Sequence, residues 1–180
     1  MIKWILIVAT VIFYAIRFRV GVLKRASKNK ISIPLFIGEI LIVILVVVQL
    51  SDIDPFKFKV PLLVNYLGLA LALAAALFAS IARISLKKNY VPASAASLPE
   101  NLTTGGVYKI VRHPSYLGTL LALIGFELTL SSYFIFIALI FLVIIVKQIE
   151  KEEKMLAEYY KDEWQVFSKR TPYKLIPFIY

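Results

Sequence analysis

The residues best suited to chemistry lie in two short polar stretches. One is Arg112-His113-Pro114-Ser115-Tyr116, and the other is the acidic pair Glu152-Glu153. An arginine offers a permanent cation with a planar fork that suits a carboxylate. A carboxylate can hold a cation, or take a proton from an amine when burial raises its pKa. His113 is the only histidine and there is no cysteine. A multi-histidine or thiolate metal site, a disulfide framework and a cysteine nucleophile are therefore excluded, and no metal ligand set is read. The same residues have plainer uses. Arg112 suits a snorkelling role, His113-Pro114 a helix start, Glu152 and Glu153 a solvated helix face, and Tyr108 and Tyr116 an interfacial belt.

Those stretches must be positioned by lipid-facing helices. Of the 180 residues 60% are hydrophobic, and the mean hydropathy is +0.81. The apolar residues cluster in long runs, which marks lipid as the solvent. Five segments can be drawn: about Ile2–Phe18, Ile31–Leu50 with Glu39 inside it, Val60–Ile84, and two sharing Tyr116–Val146. The first reads as a span and not as a cleaved signal, because Arg17 and Arg19 end it with no small-residue cleavage site. As one helix, Tyr116–Val146 would run roughly 46 Å at 1.5 Å per residue, too long for a hydrocarbon core of about 30 Å. Ser131-Ser132 near its midpoint predicts a turn, and so a short helical hairpin that crosses incompletely or thins the bilayer. Glu39 and Glu127, acidic within apolar runs, default to a functional reading; a helix–helix hydrogen bond is the rival for Glu39, and a structural role is favoured for Glu127 near the hairpin tip.

Charge orients the chain. There are 21 Lys and Arg against 11 Asp and Glu, a net charge of +10. The basic residues fall between and after the apolar runs, so the partner they imply is an anionic leaflet and not nucleic acid. The positive-inside rule places the N-terminus outside and the C-terminus in the cytoplasm. That orientation puts the loop after the first span, the loop after the third span and the tail on one face, with most of the basic residues. From Lys147 to Arg170 the tail keeps apolar positions at helical spacing (Leu156, Tyr159, Tyr160, Trp164, Phe167) and ends at Thr171-Pro172. The expected fold is thus an all-α integral membrane protein. It has about five transmembrane helices, the last two a tight hairpin, and a cytoplasmic amphipathic C-terminal helix. It is one domain over 1–180, with three spans in 1–84 and the loop, hairpin and tail in 85–180. The two hairpin arms are of similar length, so Arg112 should lie beside Glu152 and Glu153.

Several motifs together resemble a family. They are Gly106-Val107-Tyr108-x₃-Arg112-His113-Pro114-Ser115-Tyr116-x-Gly118, then Glu152-Glu153-x₂-Leu156, then Arg170-Thr171-Pro172-x₃-Ile176-Pro177. Leu86-Lys87-Lys88-Asn89-Tyr90 precedes them. The set resembles the isoprenylcysteine carboxyl methyltransferases, which belong with the phospholipid methyltransferases. The resemblance runs from about Leu86 to Pro177.

It implies an S-adenosylmethionine-dependent enzyme without a Rossmann domain. By resemblance the cofactor pocket is lined by Glu100, Asn101, Leu102, Thr103, Tyr108, His113, Pro114, Ser115, Tyr116 and Glu152. Arg112 is implicated in catalysis or acceptor placement, with Glu152 and Glu153 as candidate carboxylates. The family usually has His-x-Leu-Val where this chain has Glu100-Asn101-Leu102-Thr103. Gln148 stands where the prenylcysteine enzymes place an acceptor-contacting arginine, which puts the prenylcysteine carboxylate in doubt as substrate. The implied acceptor is lipophilic: an isoprenylcysteine-like carboxylate, a phospholipid amine or similar. Two other classes compete, an NADPH-dependent membrane reductase with a similar C-terminal half and a non-catalytic membrane scaffold.

Overall fold

The structure is a computed structural model, and it describes residues 2–17, 40–41, 44–49, 57–86 and 101–180. Four helices organise these residues: α1 (Ile2–Arg17), α2 (Leu62–Leu86), α3 (Pro114–Leu130) and α4 (Ile137–Arg170). Residues 44–49 are also helical. Among the described residues there is no strand, only an isolated bridge between Lys57 and Ser132. The expected third span is α2, shifted by two residues. Most of the expected second span, Glu39 included, lies outside the described residues.

Among the described residues, two helices are long and apolar enough to cross a bilayer: α2, and α4 with the turn before it, Tyr133–Arg170. Their outward faces are apolar, with Leu63, Leu67 and Leu77 on α2 and Leu139, Ile140 and Val143 on α4 exposed. Exposed leucine and isoleucine at that density belong in lipid. α3 is shorter, 17 residues, or roughly 25 Å.

Among the described residues, α2 and α3 form the densest helix–helix contact. Gly68, Ala72, Ala75, Ala79 and Ala82 recur on α2 at steps of four and three, so they line one face. Against them α3 sets Gly118 and Gly125. A Cβ on Gly118 would stand 2.7 Å from the Ala79 Cβ and 2.8 Å from its backbone nitrogen. A Cβ on Gly125 would collide with the backbone of Ala72. A step of seven on one helix is matched by a step of seven on the other, the register of an antiparallel pair. Lipid is as apolar as leucine, so close approach of small residues, not exclusion of water, is what holds such helices together.

α3 ends as the serine pair predicts. Ser131 takes the left-handed conformation at φ 55°, and its N–H donates back to the carbonyl oxygens of Glu127 and Leu128. A short 3-10 turn, Tyr133–Phe136, leads into α4. The tail is not a separate helix. α4 continues from the apolar span through Lys147 and on to Arg170, with one kink at Lys161 (φ 45°, ψ −113°). A lysine there carries backbone strain of order 1–3 kcal/mol. The kink brings Trp164 and Phe167 onto Tyr108, where the three are buried with Leu156 and Tyr160 packed beside them. Tyr159, read from its spacing as part of that apolar face, is exposed and meets only the edge of Tyr160 among the aromatic rings. After Pro172 the chain turns inward, and Leu175 is fully buried with Leu120, Leu123, Ile145 and Ile149 between α3 and α4.

Candidate functional site

The start of α3 and the middle of α4 meet as the hairpin geometry requires. His113 is the residue before α3, and Pro114 occupies the first turn, where its missing N–H costs nothing. Arg112 Nε donates to Glu153 Oε1 at 2.9 Å and NH2 donates to Glu153 Oε2 at 2.8 Å, a two-pronged pair. Arg112 NH1 donates to the carbonyl oxygens of Thr171 at 2.6 Å, Pro172 at 2.9 Å and Ser168 at 3.4 Å. Its guanidinium also lies 5.9 Å from the centroid of the Trp164 ring. One arginine therefore ties together the α3 start, the α4 middle and the α4 C-terminus. Backbone bonds add to the tie: the Arg112 N–H donates to Tyr173 O and the His113 N–H to Lys174 O.

His113 Nε2 lies 2.8 Å from Glu153 Oε1, so the proton sits on Nε2 when that carboxylate is ionised. Glu153 lies beyond the membrane-spanning part of α4. Burial pushes its pKa up, but the hydrogen bonds from His113 and Arg112 and their charges outweigh this and bring it from 4.5 down to about 2. Glu153 is thus a fixed anion near neutral pH. Burial alone would have raised this pKa and suited Glu153 to a base role; the bonds from Arg112 and His113 act in the opposite direction.

Glu152 is different. Its Oε1 accepts from Tyr116 Oη at 2.5 Å and from Gln148 Nε2 at 2.9 Å. Its Oε2 is 3.6 Å from His113 Nδ1, beyond a hydrogen bond. Its side chain is 27% exposed against 14% for Glu153. Of the two carboxylates it is the one that can meet a ligand.

The remaining sequence candidates divide. Tyr108 is buried, donates through Oη to Ala82 O at 3.2 Å, and accepts at its carbonyl from Thr171 Oγ1. Leu102 packs against the Tyr108, Trp164 and Phe167 cluster. Thr103 is half-buried, Asn101 is exposed, and Ser115 accepts at its carbonyl from Thr119 Oγ1 at 2.8 Å. Glu100 lies outside the described residues. Sequence reasoning missed the Trp164 and Thr171–Pro172 contacts of Arg112, and also Arg83, which is 1% exposed on α2 and donates to Thr119 Oγ1 at 2.9 Å. Arg83 sits between the apolar residues Ala82 and Ile84, and a cation inside an apolar run is itself a signal.

The hairpin tip is closed by a second polar cluster. Glu127 is fully buried, and its Oε2 accepts from Gln49 Nε2 at 2.7 Å. Gln49 Nε2 also lies 3.2 Å from Ser132 Oγ. Asn65 Nδ2 donates to Ser131 Oγ at 2.6 Å and to Thr129 O at 3.0 Å. The structural reading of Glu127 accords with these contacts.

The apolar helices thus carry an Arg-His-carboxylate cluster at the foot of the α3–α4 hairpin. The family model described as phospholipid methyltransferase matches residues 63–163, and the chain belongs to that family. A stretch of 82 residues is also 33% identical to the Delta(14)-sterol reductase TM7SF2 of Mus musculus, covering 44% of this chain. The chain spans about a fifth of that relative's length, 20%.

Proposed function

We propose that the chain is a multi-pass membrane enzyme that transfers a methyl group from S-adenosylmethionine to a lipophilic acceptor at the cytoplasmic face, with its N-terminus outside. Five spans fit the apolar segments, and the charge asymmetry supports the orientation. The observation that carries the reading is the partly exposed Glu152 held by Tyr116 and Gln148 beside the clamped Arg112–His113–Glu153 cluster.

The residues suit the cofactor. Glu152 is a partly accessible carboxylate fit to hold a cation, Tyr116 bonds to it, and Leu102 and Thr103 are half-buried in the stretch before Tyr108. When bound, S-adenosylmethionine supplies an electrophilic methyl on a sulfonium. Tyr116 and Gln148 fix the Glu152 carboxylate, so the work left to the protein is largely placement. Arg112 acts as a positioning residue: two of its nitrogens face Glu153 and the third faces carbonyl oxygens. An acceptor carboxylate would have to compete with Glu153 for it. An amine acceptor has no such need. It must lose a proton, and Glu152 is the carboxylate within reach, whereas Glu153, at about 2, is a poor base. A phospholipid amine is therefore favoured over a prenylcysteine carboxylate.

The test is a methyl-transfer assay with radiolabelled S-adenosylmethionine against an aminophospholipid and a prenylcysteine mimic. Label is expected in the aminophospholipid. The likeness to a sterol reductase favours one rival, NADPH-dependent reduction. Isothermal titration separates them: S-adenosylhomocysteine should bind and NADPH should not, and the opposite result removes the methyltransferase reading.

A further inference from the structure

Arg83 does not behave as a membrane-face arginine should. Such a side chain normally snorkels to water, yet Arg83 is 1% exposed. It belongs to the inward face of α2, next to Ala79 and Ala82. Side chains on a helix lean toward its N-terminus, so the guanidinium points into the membrane half of the molecule, and NH2 reaches Thr119 Oγ1 on α3. An ionisable group held inside a membrane domain is a functional candidate by default.

Thr119 also lines a cleft of about 100 Å³ among α1, α2, α3 and α4. The walls are almost wholly apolar, with Ala72, Ala76, Ala122 and Leu123 nearest the α2–α3 seam. Along α3 the order is therefore fixed. Tyr116, bonded to Glu152, comes first. Thr119, bonded to Arg83, comes next. The apolar cleft at Ala122, Leu123 and Phe126 follows. Tyr116 and Thr119 are three residues apart, so they lie on neighbouring positions of one α3 face, about 4.5 Å apart along the axis. A phospholipid amine has the same order of parts: amine, phosphate, hydrocarbon chain.

We propose that Arg83 is the anion anchor of the acceptor site, holding the phosphate of a lipid whose chain lies in the cleft and whose amine reaches Tyr116 and Glu152. The proposal deepens the methyltransferase reading and rests on it for the position of the amine. A separate phosphate anchor makes the enzyme selective for phosphate-bearing amines over simple long-chain amines.

The experiment uses the full chain in dodecyl maltoside and two probes with the same alkyl chain. One is an alkylphosphoethanolamine; the other is the alkyl ethanolamine ether, which lacks the phosphate. Binding is read by titration calorimetry, and methyl transfer is followed in parallel. The wild-type chain should bind the phosphate probe at least tenfold more tightly. Arg83→Gln should remove that preference and leave affinity for the ether and for S-adenosylhomocysteine unchanged. Equal weakening of both probes overturns the proposal, as does loss of S-adenosylhomocysteine affinity, which would assign Arg83 to the cofactor carboxylate. If Arg83→Gln does not fold, Arg83→Lys keeps the cation and should keep at least a threefold preference; its complete loss in a folded Arg83→Lys chain counts against the anchor. A wild-type chain with no phosphate preference overturns it without any variant. Phosphate-dependent binding without methyl transfer would leave the anchor standing and remove the methyltransferase reading. Methyl transfer indifferent to phosphate would do the reverse.

Discussion

The α3–α4 hairpin carries a carboxylate at each end, Glu127 fully buried and Glu153 half-buried, and the two are built on different principles. Glu127 at the tip meets the neutral side chain of Gln49, close to Ser132. Glu153 at the other end meets Arg112 through two nitrogens and His113 through a third. The tip arrangement closes a turn through side-chain amides and hydroxyls. The charged arrangement fixes three chain segments around one guanidinium and leaves Glu152, one residue away, facing outward. A neighbouring pair of glutamates thus separates into one clamped by Arg112 and one more open to its surroundings, and it is the arginine that makes the distinction.

If Glu153 is the clamped one, Glu153→Ala leaves Arg112 buried beside an uncompensated gap, and removal of one partner of a buried pair costs about 3–5 kcal/mol. Thermal unfolding in detergent should show this as a large fall in Tm. An unchanged Tm would place the clamp among the dispensable surface pairs. The same comparison can be made with protons. The folded-state pKa of Glu153 lies below its unfolded value of 4.5, at about 2. Its contribution is therefore complete above about pH 4.5 and is lost as pH falls toward 2. A shift of that size corresponds to stability on the order of 3 kcal/mol at 1.36 kcal/mol per unit. Stability measured from pH 5 to 2 should fall steeply in the wild type and less so in Glu153→Gln.

At the tip the expected effects are smaller. Glu127→Leu leaves Gln49 without this acceptor and should cost about 1–3 kcal/mol, with methyl transfer per folded molecule unchanged. A greater loss than that of Glu153→Ala would reverse the ranking of the two ends. The smallest effect separates the two glutamates at the site. Glu152→Gln should weaken S-adenosylhomocysteine binding about tenfold, or about 1.4 kcal/mol, with Tm intact. Glu163→Gln, exposed on the far part of α4, should change neither; equal affinities for the two variants would move the site elsewhere.

Much of this was legible in the sequence for a simple reason. Two serines inside a long apolar run have few uses other than a turn, and a turn at the midpoint of two equal arms brings their feet together. The Arg112–Glu153 contact follows from counting residues. The spacing of Gly68, Ala72, Ala75, Ala79 and Ala82 was equally readable, yet in an apolar run small residues look like any others until their period is checked. What counting does not reach is partnership across unrelated segments. Gln49 and Glu127 are 78 residues apart, and nothing in their neighbourhoods marks the pair. The bond from Arg83 to Thr119 is similar. Nor does helical periodicity foresee the kink at Lys161, because a left-handed lysine goes against local propensity and is held by the packing of Trp164 and Phe167 beyond it.

Arg112 also bears on the order in which the molecule is completed during synthesis. Its carbonyl partner on Thr171 follows it by 59 residues, and Glu153 by 41. While the chain is made from its N-terminus, α2 and α3 can pair as soon as both have emerged, since Gly118 and Gly125 find Ala79 and Ala72 already present. The guanidinium, by contrast, stays hydrated until the last turn of α4 arrives to take it up. The membrane part of the protein is thus ready before the site is, and translation of the final helix is the event that closes it.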